Sequence, residues 1–268
     1  MHYEEHWGLK VPPFENVPDP KFYYPSTKHE EGLNRMLYGI EARKGAVMLT
    51  GEIGCGKTML SRALVRQLPI ERYEIALMTS PSLFDPQEFF RELLYQFGIE
   101  ASGSKLELVR GLNEYLLTNM NRGKDAVLII DEAQTIKSDD LFEELRLLLN
   151  FQLNDRFLMT LVFIGQPELN KRINALPQLA QRISVRFHLS SFDQMETARY
   201  IDFRLGVAGV DGRQVFSKEA IEVIFLTTGG IPRNINKLAD LCLLNGFLER
   251  KEQIDGDLVN RVAKDFSM

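Results

Sequence analysis

Along the first two thirds of the chain, short apolar runs alternate with segments whose apolar residues recur every three or four positions. AVMLT (46–50), YEIALMT (73–79), AVLIID (126–131) and FLMTLVFIG (157–165) are short enough to be buried strands, and VRFHLSS (185–191) reads as a shorter fifth. Between them TMLSRALVRQL, DPQEFFRELLYQFG, SKLELVRGLNEYLLTNMNRG and DLFEELRLLLNFQL carry helical spacing. HEEGLNRMLYGIEARKG precedes the first strand as a further helix ending at Gly45, and the stretch before it, VPPFENVPDPKFYYP, holds too many prolines for regular helix. Strands alternating with helices predict a mostly parallel sheet covered on both faces. After about residue 191 the strand signal stops. DQMETARYIDFRLG, with Asp193 and Glu196 at capping-box spacing, then SKEAIEVIFLTTGG, PRNINKLADLCLLNGFLE and DGDLVNRVAKDF, predict a small all-helical segment. The expected division is an aromatic arm and helix over 1–44, an α/β domain over 45–190 and a helical domain over 191–268.

Chemistry enters at the end of the first strand. GEIGCGKT (51–58) fits G-x-x-x-x-G-K-[ST] and lies between a strand and an amphipathic helix. Glycines there let backbone N–H groups curl around phosphate oxygens, and the following helix presents its N-terminus to the same charge. The nucleotide-binding set is Gly51, Glu52, Ile53, Gly54, Cys55, Gly56, Lys57, Thr58 and Met59, with Lys57 on the β- and γ-phosphates and Thr58 on Mg²⁺. Asp131 ends the third strand at the carboxyl edge of the sheet, where the metal would sit, and Glu132 would polarise the water that attacks the γ-phosphate. Gln166 follows the fourth strand, at a tip between nucleotide and water. Arg182 and Arg186, four apart and expected before the fifth strand, suit a transferring phosphoryl group in their own subunit or in a neighbour's.

GGIPRNINKL (229–238) raises a separate question. Pro232 suits the first position of a helix. Arg233 then sits in the first turn, beside the positive end of the dipole, where a carboxylate would be favoured. An anion supplied from elsewhere would account for it.

Composition sets outer limits. Of 268 residues, 44% are hydrophobic and 26% charged, which excludes wholesale disorder. The formal net charge of −5 gives no general pull toward nucleic acid or an anionic membrane. Cys55 and Cys242 are too few for a disulfide framework, so a reducing compartment is expected. The acidic, aromatic start MHYEEHWGLK lacks the pattern of a secretory signal, and no apolar run is long enough to span a bilayer. The four histidines have no ligand spacing, so no metal is expected beyond nucleotide-bound Mg²⁺.

Taken in order, the phosphate loop, IDEAQ, GQPEL, QRISVR and GGIPRNINKL resemble an AAA+ ATPase. The arm HWGLKVPPFENVPDPKFYYPSTKH narrows this to similarity with the general secretion pathway protein A (ExeA-type) family, which includes the MSHA-pilus biogenesis ATPases. The resemblance covers essentially the whole chain. It implies a P-loop NTPase with a three-layer parallel sheet followed by a small helical lid, binding ATP and Mg²⁺ as a ring or partial ring. Lys57 and Thr58 would be the Walker A pair, Asp131 and Glu132 Walker B, and Gln166 would stand at sensor 1. Arg182 or Arg186 would be a finger acting in trans, and Arg233 a sensor 2 reaching the γ-phosphate from the lid. His29 and the aromatics near it would pack on adenine or in the core.

Two departures qualify the match. Many AAA+ proteins carry Asn or a hydroxyl at sensor 1, and Gln166 is longer. Larger secretion-family members continue into a membrane span and a peptidoglycan-binding domain absent from this sequence, so tethering is expected to come from a partner or not to occur at all. The resulting expectation is a cytoplasmic ATPase, recruited to the inner membrane by a partner, that assembles or remodels an envelope complex of the type II secretion or type IV pilus kind. The alternative is a DNA-associated AAA+ regulator of transposition or replication type, which would need a basic stripe on an acidic chain.

Overall fold

The computed structural model describes residues 3–17, 19–81, 85–153 and 156–266. In chain order come α1 (Glu4–Trp7), a 3₁₀ turn (Pro20–Phe22), α2 (Thr27–Glu41), β1 (Ala46–Gly51), α3 (Lys57–Gln67), β2 (Tyr73–Met78), α4 (Pro86–Gln96) and α5 (Lys105–Asn121). They are followed by β3 (Asp125–Ile130), a 3₁₀ turn (Ala133–Thr135), α6 (Asp139–Leu148), β4 (Met159–Gly165), α7 (Glu168–Asn174), α8 (Pro177–Ala180) and β5 (Ile183–Leu189). Helices α9 (Gln194–Val207), α10 (Lys218–Thr228), α11 (Pro232–Leu248) and α12 (Gly256–Phe266) complete the chain. The five apolar runs are the five strands. The short helices α1, α7 and α8 have too few turns to show a period, and sequence pattern does not reveal them.

The chain divides into two compact units. One comprises Thr27–Glu52 and Leu60–Leu189; the other comprises the arm through Ser26, the segment Ile53–Met59 and the chain from Ser190 onward. The first is built on the sheet, whose strands run β2-β3-β4-β1-β5, all parallel. Alternate side chains point to opposite faces. Met48, Leu128, Ile130, Leu161 and Phe163 share one core with Phe89 and Leu93 of α4, Leu112 of α5 and Phe142 of α6. Val47 points the other way, toward α2, whose Gly39 lies so close that an added Cβ would stand 2.1 Å from Val47 Cγ1. Helices therefore cover both faces, the three-layer arrangement the alternation predicts. Capping boxes fix two helix starts, Asp85 with Glu88 and Ser104 with Glu107.

The second unit is helical. Trp7, Phe14, Phe192, Tyr200, Phe216, Leu238 and Leu243 belong to its core, and Trp7 Nε1 donates to the Leu243 carbonyl at 2.9 Å. The proline-rich arm is tied to this core by a buried cation. The Arg204 guanidinium donates to the carbonyls of Pro13 and Glu15 and to the Tyr200 hydroxyl, and it stacks 4.6 Å from the Phe22 ring centre. Asp193 Oδ1 accepts from Glu196 N at 2.7 Å and starts α9. Among the described residues no helix is long and apolar enough to cross a membrane.

Candidate nucleotide-binding site

Strand β1 delivers the phosphate loop. Gly51, its last residue, runs beside Leu189 of β5, and a Cβ there would lie 2.7 Å from the Leu189 carbonyl oxygen. Glu52 and Ile53 are exposed. Gly54 and Gly56 adopt φ of +84° and +95°, open to glycine without penalty. Helix α3 starts at Lys57, so its first N–H groups, which have no carbonyl of their own helix to donate to, follow directly on the loop. Lys57 is buried, Met59 half-buried and Thr58 exposed. Glycine backbone, a helix N-terminus and a lysine fit a polyphosphate. Cys55 is 1% exposed, so the protein itself shields the thiol.

Arg233 belongs to the same unit as Ile53–Met59. Gly229 caps α10 in a left-handed conformation, and α11 begins at Pro232. The backbone N–H of Arg233 then donates to the Gly54 carbonyl at 3.3 Å. A Cβ added to Gly54 would stand 2.7 Å from Arg233 Cβ and 3.1 Å from Ile231 Cγ2, so only glycine permits this approach. The Arg233 side chain is exposed, with no hydrogen bond or ion pair among the described residues. The unfavourable cation at a helix start therefore stems from backbone that touches the phosphate loop.

At the carboxyl edge of the sheet, Asp131 is buried directly beyond β3, and its Oδ1 accepts from Glu132 N at 2.9 Å. Glu132 adopts φ 52°, ψ 36°, a left-handed conformation that costs a non-glycine residue about 1–3 kcal/mol. Its Oε2 accepts from Gln134 Nε2 at 2.5 Å and from Gln166 Nε2 at 3.4 Å. Gln134 Oε1 in turn accepts from the backbone N–H of Gln166 at 3.0 Å. Glu132 and Gln166, 34 positions apart, thus meet, and Gln134 joins them. Neighbouring parallel strands stand about 4.8 Å apart, so the β3 tip is roughly 10 Å from the β1 tip, with β4 between. Among the described residues no cluster of three His, Cys, Asp or Glu side chains could hold a metal alone. Thr58 in one unit offers a hydroxyl and Asp131 in the other a buried carboxylate, each an oxygen donor of the kind Mg²⁺ accepts.

Arg182 and Arg186 part company. Arg186 lies inside β5, where it donates to Asn174 Oδ1 at 2.9 Å and to the Ala180 carbonyl. Arg182 follows α8, and its side chain has no such partner among the described residues. The apolar period of the sequence does not mark α7. Its Asn170 donates to Thr50 Oγ1 at 3.3 Å, just before the phosphate loop, and Thr50 also meets His188 Nδ1 at 3.1 Å. Its Arg172 holds the carbonyls of Gln134 and Ile136, pairs with Asp139 and stacks on Phe142. His29 is buried. Cys242 is also buried, which pushes its thiol up to about 12.

The family described as "AAA domain" matches residues 40–173. General secretion pathway protein A of Aeromonas hydrophila is 39% identical over 264 residues, covering 96% of this chain; the chain spans about half, 47%, of that relative. The Aeropyrum pernix ORC2 protein, solved in ADPNP-ADP complexes, superimposes with a TM-score of 0.65 at 16% identity, over 95% of this chain and 69% of that one. Drosophila ORC bound to DNA gives 0.72 at 16% identity, over 99% and 65%. At such identities the solved structures speak for the fold alone.

Proposed function

The chain belongs to the AAA domain family of P-loop ATPases, and from that membership we propose that it binds ATP with Mg²⁺, hydrolyses it, and uses the cycle to assemble or remodel a cell-envelope complex. One observation carries the nucleotide part. An exposed arginine whose side chain has no partner among the described residues is held by its own backbone against the glycine loop, within the unit that contains Lys57. In this reading the loop from Gly51 to Met59 and Lys57 bind the β- and γ-phosphates, and Arg233 recognises the γ-phosphate. Glu132 takes a proton from the attacking water, with Gln166 beside it. Thr58 and Asp131 would hold Mg²⁺, which would neutralise phosphate charge. Arg233→Ala should weaken binding of a fluorescent ATP analogue about tenfold, one charge-assisted contact, and leave ADP binding unchanged. Equal losses for the two nucleotides would remove the γ-phosphate role.

The envelope part leans on the secretion-pathway relative, similar along nearly the whole chain. The protein then works in the cytoplasm, drawn to the inner membrane by a partner, as a ring or partial ring whose subunits complete one another's sites. Arg182, whose side chain makes no hydrogen bond or ion pair among the described residues, is the finger to test first, and Arg186 the second. Mixing Arg182→Ala with Glu132→Gln protein should restore hydrolysis. No recovery with either arginine variant would mean a self-contained site. Pull-down with Glu132→Gln in ATP asks which envelope protein the closed state holds.

A second reading, a DNA-associated regulator, draws on the likeness to ORC bound to DNA. Binding to duplex DNA that weakens steeply with salt would favour it, and no binding at low salt would exclude it.

A further inference from the structure

We infer that Gln134 is the positioning residue of Glu132: its amide clamps one oxygen of the carboxylate and leaves the other for the attacking water. The inference rests on the role proposed for Glu132 above.

Both ends of the Gln134 amide are committed. Its Oε1 takes the N–H of Gln166 at 3.0 Å, so the NH₂ end has to face Glu132, to which it donates at 2.5 Å. The orientation of the amide is therefore set by a backbone group that cannot rotate away. Gln166 Nε2 approaches the same Glu132 oxygen at 3.4 Å. Two donors converge on Oε2, whereas Oε1 has no hydrogen bond among the described residues. A carboxylate that abstracts a proton needs this asymmetry, one oxygen fixed and one with open lone pairs in hydrogen-bonding reach of water.

The surroundings maintain it. Glu132 keeps a left-handed backbone that persists only where neighbours determine it. The Glu132 N–H donates to Asp131 Oδ1, and its carbonyl accepts from both the Thr135 hydroxyl and the Thr135 N–H at 2.8 Å. The backbone of Gln134 is fixed by Arg172. Gly165 makes room for the clamp: a Cβ there would lie 2.6 Å from Gln134 Oε1. Glycine at the end of β4 thus serves the amide.

The test compares Gln134→Glu with the parent. Glutamate at 134 still accepts from Gln166 N–H but cannot donate to Glu132, so it removes one bond and keeps the other. The kcat for ATP should fall between about 10- and 100-fold, the scale of a misplaced catalytic group, with KM and the dissociation constant of a fluorescent ATP analogue within twofold. Hydrogen exchange at the Gln166 amide should stay as slow as in the parent, and should speed up in Gln134→Ala. Placed on Glu132→Gln, Gln134→Glu should cause no further loss, because residues acting through one another are not additive. Should Gln134→Glu lose its folding transition, Gln134→Met, of equal length without polar atoms, takes its place. An unchanged or raised kcat, a matching loss of nucleotide affinity, or full additivity with Glu132→Gln would overturn the inference. Glu132→Gln protein as fast as the parent would overturn the role of Glu132 as well. Slow Glu132→Gln beside a fully active Gln134→Glu would overturn the clamp alone.

Discussion

Gly54→Ala puts the contact between the phosphate loop and α11 under direct load. At φ +84° an alanine carries left-handed strain of about 1–2 kcal/mol. Its Cβ would also meet Arg233 Cβ at 2.7 Å and Ile231 Cγ2 at 3.1 Å. The first of these is the root of a side chain in a helix's first turn, so backbone must move, at about 1–3 kcal/mol for overpacking. The total is about 2–5 kcal/mol. Gly229→Ala is the matched control in the same unit: φ +61°, with nothing within 4 Å of an added Cβ, hence strain alone. The single tryptophan, Trp7, is buried in the core of that unit and reports its unfolding in urea through fluorescence. Gly54→Ala should lose about 1–3 kcal/mol more than Gly229→Ala, the overpacking share by itself. Equal losses would mean that Arg233 does not lie against the loop, and the argument that ties this cation to the phosphates would fall with it.

Lys57→Ala should lower affinity for a fluorescent ATP analogue at least tenfold while keeping a cooperative urea transition; retained affinity would contradict the loop assignment. Arg204→Met should destabilise the helical unit by about 3 kcal/mol, since two arm carbonyls and a hydroxyl lose a charged donor, and urea unfolding followed at Trp7 measures it. Asp255 accepts from Leu258 N at 2.8 Å and starts α12, while Lys251 first and that N–H second hold its carboxyl below the ordinary 3.8. Its contribution is complete above that value and is lost as pH falls through the lower folded one, so Asp255→Ala should cost about 1 kcal/mol at neutral pH and nothing in stronger acid. In native protein at pH 8 Cys242 should resist alkylation, because burial keeps its thiol protonated; labelling before unfolding, read by mass spectrometry, would contradict that.

Most of the sheet was legible because β1, β3 and β4 are nearly unbroken apolar runs flanked by turn residues, whereas β5, ISVRFHL, alternates polar with apolar positions. FLMTLVFIG gave β4 within two residues, and the strand begins at Met159 because Phe157 bridges back to Gln152 instead. Helices with a strong start signal were equally plain: Pro232 opens α11 and Gly229 closes α10 as their chemistry requires. The arm shows where legibility ended. Its prolines exclude helix, yet what orders it is Arg204, a residue some 190 positions away whose burial no local pattern announces.

The candidate site divides along the same line. Phosphate chemistry demands a fixed spacing within eight residues, so Lys57 and Thr58 can be read directly. Gln134 cannot. Its neighbours in IDEAQ say nothing of a backbone N–H at Gln166, and a glutamine at a strand end ordinarily faces solvent. What gives it a role is the adjacency of β3 and β4 in the sheet, which brings residue 166 beside residue 132, together with a glycine at 165 that leaves the gap open. The left-handed backbone of Glu132 is illegible for a related reason, since glutamate has no preference for that conformation and takes it only where bonds to Asp131, Gln134 and Thr135 together outweigh the strain. Motifs thus mark the groups that meet the nucleotide. The groups that aim them follow from strand order, and become visible only once the sheet is assembled.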